Sequence, residues 1–298
     1  LRTDGKIIGE FGYYNLMPYD KEVQELLVKT LDEAQIWNFN GPEPEIFSRT
    51  EAALTNSQTA AVQKCIKLSE IDENEIGAVG FHGQTVLHRA PRGSLKGATR
   101  QLGDGQAMAN QLGIPVVYDF RSNDIREGGQ GAPLCPIYHA AILKKIGATS
   151  NTAILNLGGL GNLSFSSEEC GLIAFDTGPA NAPLNDWIKI SNIGEMDING
   201  DIAAKGKVNE SKLSEVLSDP YFEMSFPKSL DRFSFSHRIA AGMSIEDGAP
   251  TLTPLAAAAV AKGIDLLPVR PKQLIVSGGG RKNLTMMREI SLRANIKV

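Results

Sequence analysis

Three cysteines in 298 residues, Cys65, Cys135 and Cys170, show no CxxC spacing, which leaves no structural zinc motif and no disulfide framework to read. A reducing cytoplasm fits that usage. His82, His88, His139 and His237 form no HExxH or related ligand pattern, so each reads as a hydrogen-bonding residue. Basic charge is short as well. Thirty Lys and Arg against 34 Asp and Glu give a net charge of −4, which argues against a general nucleic-acid binder. Nucleotides remain open, because backbone N–H groups can hold phosphate without net charge. The longest small-residue apolar run, Leu255 to Ala261, is far too short to span a bilayer. No signal-peptide pattern is seen, and Leu1 in place of methionine suggests a natural start upstream.

Several nucleotide and hydrolase signatures are missing too. The chain has no GxxxxGK followed by Ser or Thr, which excludes a P-loop. No GxGxxG follows a strand with an acid about 20 residues on, so a dinucleotide fold is unsupported. A GxSxG nucleophile elbow is also absent.

What is present is an ordinary globular composition, 42% hydrophobic and 21% charged, in a length suited to two domains. Residues 6–14 read as a strand or hairpin arm. Val23, Leu26, Leu27, Thr30, Leu31 and Ala34 recur at helical spacing over 20–36. A second helix is expected over about 45–69. Apolar strands are expected at 76–81, 99–102 and 115–120. The first stops at His82-Gly83-Gln84-Thr85, the second at Gly103-Asp104-Gly105 and the third at Arg121-Ser122-Asn123-Asp124. Gly128 to Gly131 suits a hinge, dividing the chain into 1–130 and 131–298. Beyond it, 134–146 reads as a helix, and 152–157 and 163–166 as strands around Gly158-Gly159-Leu160-Gly161. An alanine-rich helix follows at 250–267, then a strand at 273–277 and a helix opened by Asn283. Strands alternating with helices give an α/β architecture.

The most informative segment is Phe175 to Trp187, FDTGPANAPLNDW. Leu172 to Phe175 reads as a buried strand, Asp176 to Pro179 as a turn, and Ala182 onward as a helix. A carboxylate at a strand's C-terminal end sits where open α/β sheets place ligands. The plainer alternative for Asp176 is a helix N-cap. Two further strand-to-glycine turns, Gly158-Gly159 and Gly278-Gly279-Gly280, occur in the same half of the chain. Such turns bring successive N–H groups to a ligand, so together they suggest a nucleotide phosphate and nucleoside site. A tight hairpin and a plain strand-to-helix turn are the alternatives.

At these residues the chain resembles the bacterial anhydro-N-acetylmuramic acid kinases. The strings are GFHGQTVLH (80–88), QLGDGQAMA (101–109), DFRSNDIREGGQGAPL (119–134), NLGGLGNLS (156–164), FDTGPANAPLNDW (175–187) and SGGGRKN (277–283). The resemblance implies an actin-like sugar-kinase fold of two domains with an interdomain cleft, and a cytoplasmic role in cell-wall recycling. It implies that ATP, with Mg2+, drives hydrolytic opening and phosphorylation of 1,6-anhydro-N-acetylmuramic acid, giving N-acetylmuramic acid 6-phosphate. A homodimer is expected on the same ground, with no nucleic-acid or membrane partner.

Under the resemblance Asp176 is the general base that activates water. His82, Gln84, Thr85, Asp104, Arg121 and Asp124 are candidate sugar contacts. Arg121 is suited to clamp the lactyl carboxylate, or alternatively to pair with Asp124. A satisfied turn histidine is the other reading of His82, and a helix cap that of Asp104. Asn156, Gly158, Gly159, Asn162, Thr177, Gly178, Gly278, Gly279 and Gly280 are expected at the nucleotide; no metal ligand is assigned.

Three departures from the family pattern stand out. Ala180 replaces the usual glycine, the MSGTSxDG phosphate loop precedes Arg2-Thr3-Asp4-Gly5 in the family, and a GxPxDxxEA-like segment follows beyond Val298. On that reading a non-catalytic sugar- or nucleotide-binding remnant is one alternative. A kinase for an ordinary amino sugar is another.

Overall fold

The computed structural model describes residues 1–148 and 151–298. Its contacts divide the chain into two units, Leu1–Gly131 and Ala132–Val298, with the boundary at the glycine-rich stretch.

The first unit opens with β1 (Arg2–Thr3) and β2 (Ile8–Glu10), a short antiparallel pair. Residues 11–20, part of which was expected to continue a hairpin arm, take no regular structure. The next helix, α1 (Lys21–Trp37), is capped by Asp20, whose carboxylate accepts from Val23 N at 2.9 Å. Its stripe of Val23, Leu26, Leu27, Thr30 and Ala34 is buried. α2 (Ile46–Ser69) answers with Phe47, Thr50 and Leu54, and the Thr30 and Thr50 hydroxyls bond at 2.6 Å between the helices.

Two small sheets follow. β3 (Val79–Phe81) pairs in parallel with β6 (Val116–Tyr118), while β4 (Gln84–Arg89) and β5 (Ala98–Leu102) form an antiparallel hairpin. Gln84 and Thr85 therefore begin a strand, a correction to their expected place in a turn. α3 (Gly105–Leu112) links β5 to β6, and α4 (Ser122–Arg126) follows β6.

The second unit is built on one sheet. α5 (Pro136–Lys145) precedes β7 (Thr152–Leu157), β8 (Leu160–Ser167) and β9 (Gly171–Pro179). α6 (Asn181–Ile190), α7 (Glu210–Leu217) and α8 (Ile245–Asp265) come next, then β10 (Gln273–Ser277) and α9 (Leu284–Ala294). The strand order is β10-β7-β8-β9, with β10 parallel to β7 and both other pairings antiparallel. β10, β7 and β9 consequently point the same way, and their carboxyl ends share one edge.

Leu155, Leu157, Leu163, Phe165 and Phe175 are fully buried in one core with Leu252, Ala256, Val260 and Ile264 of α8. Each large side chain contributes about 1.5–3 kcal/mol relative to exposure. The alanines of α8 give it a narrow surface; Ala249, Ala257 and Ala259 have no exposure at all.

Candidate active site

Asp176 lies inside β9, three residues before the strand ends, and is 2% exposed. The apolar run stops at Phe175, yet pairing with β8 carries the strand on through Pro179. α6 begins only at Asn181, and no side chain caps it. The N-cap alternative for Asp176 is therefore ruled out by geometry.

Both carboxylate oxygens meet donors. Asn162, directly across on β8, donates through Nδ2 to Oδ1, and Leu230 N donates to Oδ2 at 2.8 Å. The backbone is held as well: Asp176 N donates to Lys228 O at 3.2 Å, and Tyr221 donates its hydroxyl to Asp176 O at 2.5 Å. Burying a carboxylate is costly unless hydrogen bonds replace water, and these contacts do so.

Asn162 is itself fixed by a row of side chains crossing the sheet. Ser277 Oγ donates to Asn156 Oδ1 at 3.2 Å, and Asn156 Nδ2 donates to Asn162 Oδ1 at 3.2 Å. The residues sit in register on β10, β7, β8 and β9. An ionised carboxylate only accepts, so each amide in the row must turn its NH2 group toward Asp176 and its oxygen away. Asn156 and Asn162, expected at the nucleotide, thus have their side chains engaged in orienting Asp176.

The glycine turns gather at the shared carboxyl edge. Asn181 donates its side-chain amide to Leu157 O at 3.0 Å and Gly158 O at 2.8 Å. The backbone N–H groups of Ala180, Asn181 and Ala182 bond to Gly158 and Gly159 carbonyls. Gly278 has φ +80°, and a Cβ there would lie 2.4 Å from Leu157 O; one on Gly280 would meet Leu157 Cβ at 2.6 Å. Gly279, by contrast, faces open space.

Thr177 and Gly178, expected at the nucleotide, are packed closely against the protein itself. The strand's alternation turns Thr177 inward, where its hydroxyl donates to Gly161 O at 3.2 Å. Gly178, with φ +150°, is packed so closely that a Cβ there would lie 2.8 Å from Ala259 Cβ and 2.9 Å from Phe222 Cε1.

In the first unit His82, His88, Arg121 and Asp124 converge on Gly131. Arg121 donates Nη1 to Gly131 O at 2.6 Å, and Gly131 N donates to Asp124 Oδ2 at 2.7 Å. Arg121 and Asp124 thus meet through a peptide. Arg121 Nη2 lies 3.1 Å from His82 Nε2. Arginine can only donate, so His82 Nε2 is the acceptor and its Nδ1–H points to Gly83 O at 3.1 Å. Burial, helped by the Arg121 charge, holds His82 below its ordinary pKa and brings His88 down to about 4.

The other sugar candidates divide. Asp104 caps α3, its carboxylate accepting from Ala107 N at 2.9 Å. Gln84 donates to Thr85 O at 3.0 Å. Thr85 Oγ1 and Gln101 Oε1, opposed across the hairpin, are buried without a hydrogen-bond partner among the described residues. Gln101 was not anticipated, and neither were Tyr221, Lys228 and Leu230. A separate groove of about 520 Å³, bounded by Leu16, Tyr19, Gln58 and Cys65, includes none of these groups.

Comparison with known proteins supplies the family. The sequence model for anhydro-N-acetylmuramic acid kinase matches residues 14–296. Proteins of that name from Brucella anthropi and Rhizobium rhizogenes are each 53% identical, covering 100% and 99% of this chain and 80% of their own length. Among solved structures, (R)-2-hydroxyglutaryl-CoA dehydratase component A from Acidaminococcus fermentans matches at 10% identity and a TM-score of 0.43, over 82% of this chain and 76% of that one. A family model spanning nearly the whole sequence, and relatives identical at more than half of it, establish that this chain belongs to the anhydro-N-acetylmuramic acid kinase family.

Proposed function

We propose that the protein opens 1,6-anhydro-N-acetylmuramic acid with water and phosphorylates the oxygen released, with Asp176 as the base. The observation that carries this reading is a buried carboxylate pinned through both oxygens beside an edge of converging glycine turns. Held this way, Asp176 needs no reorganisation before it takes a proton.

Water attacks C1 of the sugar as one of its protons passes to Asp176, and the C1–O6 bond breaks. O6 then takes the γ-phosphoryl group in line as the bond from the γ-phosphorus to the β-phosphate oxygen breaks and ADP leaves, and the proton on Asp176 passes to solvent. ATP supplies the phosphoryl group when bound. The turn at Gly278–Gly280 fits a nucleotide: two of its glycines are packed too closely for a Cβ, while Gly279 faces open space. Among the described residues no cluster of three or more His, Cys, Asp or Glu side chains suits a metal. Mg2+ held chiefly by phosphates and water is consistent with that.

Recognition of the sugar is assigned to the first unit. Thr85 Oγ1 and Gln101 Oε1 have unmet hydrogen-bonding capacity, which suits hydroxyl or amide groups. Arg121 offers the guanidinium that a lactyl carboxylate calls for. No helix among the described residues is long and apolar enough to cross a membrane. A cytoplasmic location belongs to this reading from family likeness alone. A homodimer is part of the same reading, from family likeness alone. ATP-dependent formation of N-acetylmuramic acid 6-phosphate by the purified full-length protein tests it. Faster turnover of N-acetylglucosamine than of the anhydro-sugar would overturn the substrate assignment.

A further inference from the structure

Three residues close a ring of hydrogen bonds around the peptide of Asp176. Lys228 Nζ donates to Tyr221 O at 2.8 Å, the Tyr221 hydroxyl donates to Asp176 O at 2.5 Å, and Asp176 N donates to Lys228 O at 3.2 Å. Two residues beyond Lys228, Leu230 N reaches the Asp176 carboxylate itself. The ring is sealed from solvent, with Lys228 2% and Tyr221 4% exposed.

Lys228 is an unusual choice for such a place. Its ammonium lies 4.5 Å from the centre of the Tyr221 ring and 5.5 Å from that of Phe175. Phe226 stacks on the other partner, its ring 5.5 Å from Phe175. If filling space were the whole task, Met or Leu would do it without burying a charge. Burial lowers the Lys228 ammonium to about 8, so it remains mainly charged at neutral pH despite that cost. The charge is used on the Tyr221 carbonyl and on two aromatic faces.

We propose that Lys228 and Tyr221 are positioning residues that fix the Asp176 peptide, and through Leu230 its carboxylate, for the proton transfer described above; the proposal rests on Asp176 being the base. Both side chains are sealed from solvent and act through Asp176. A closed ring has a particular signature, because breaking any one bond loosens the other two.

Steady-state kinetics on Tyr221→Phe, Lys228→Met and the double variant test this, each rate normalised to the folded fraction from circular dichroism. Each single change should lower kcat by roughly 10- to 100-fold with both KM values within about 2-fold, as expected for lost alignment. The double variant should be no slower than the slower single, and Lys228→Arg should recover most of the rate. Unchanged kcat per folded molecule in both singles, or losses that multiply in the double, would overturn the proposal. Asp176→Asn separates the two ideas: if it is inactive while Tyr221→Phe is fully active, the ring proposal fails and the base assignment stands. If Asp176→Asn turns over normally, both fall.

Discussion

Asn162 and Asp176 face one another across β8 and β9, and the Asn162 amide points its NH2 group at the Asp176 carboxylate. The direction of that bond propagates. Asn156 must offer its own NH2 to Asn162, and Ser277, the residue before the Gly278 turn, offers its hydroxyl to Asn156. A row of three donors therefore joins the carboxyl end of β10 to the acid on β9. If Asp176 is the base, its orientation is tied to the strand that carries the Gly278–Gly280 turn.

Asp176→Asn keeps the size of the side chain and removes the base. Turnover should nearly vanish while circular dichroism stays native. Asn162 Nδ2 and Leu230 N both donate to the Asp176 carboxylate, so an asparagine NH2 must oppose one of them. Thermal unfolding should report a loss of about 1–3 kcal/mol.

Asn156→Leu leaves the oxygen of Asn162 without its donor. Stability should fall by about 1–3 kcal/mol. The larger effect is expected on kcat, with KM for the anhydro-sugar unchanged. Paired kinetics and denaturant melts read both quantities.

Gly278→Ala combines a left-handed backbone with a Cβ 2.4 Å from Leu157 O. The strain should cost about 1–3 kcal/mol. Displacement of the turn should also raise KM for ATP more than KM for the sugar. The parallel change at Gly279, which meets nothing within 4 Å, should be much milder on denaturant melts.

His88 gives the first unit an acid-sensitive component. Its folded pKa of about 4 lies below the ordinary 6.5, so the unfolded chain binds more protons between those values. The stabilising contribution is complete above about pH 6.5 and is lost as pH falls toward 4. Urea midpoints measured through that window should drop in the native protein, and less steeply in His88→Gln.

Much of this was legible in the sequence, and the gaps have physical causes. Helical spacing located α1 within one residue at each end, and the strand-turn pattern found β7, β8 and β10. Asp176 was recognisable in FDTGP, but its burial within a strand was not. The continuation of β9 comes from pairing with β8 rather than from its own apolar residues. Once the strand is known to reach Pro179, alternation alone turns Thr177 to the core. Tyr221 and Leu230 lie 45 and 54 residues from Asp176, and no local pattern links them. Gln101 was hidden in the same way, since its importance depends on standing opposite Thr85 across the hairpin.

The most direct test is to compare the native protein with Asp176→Asn for ATP-dependent formation of N-acetylmuramic acid 6-phosphate from the anhydro-sugar. Rapid turnover by the native enzyme is expected, and none above background from a fully folded Asp176→Asn. Equal rates from the two would contradict the assignment of Asp176 as the base.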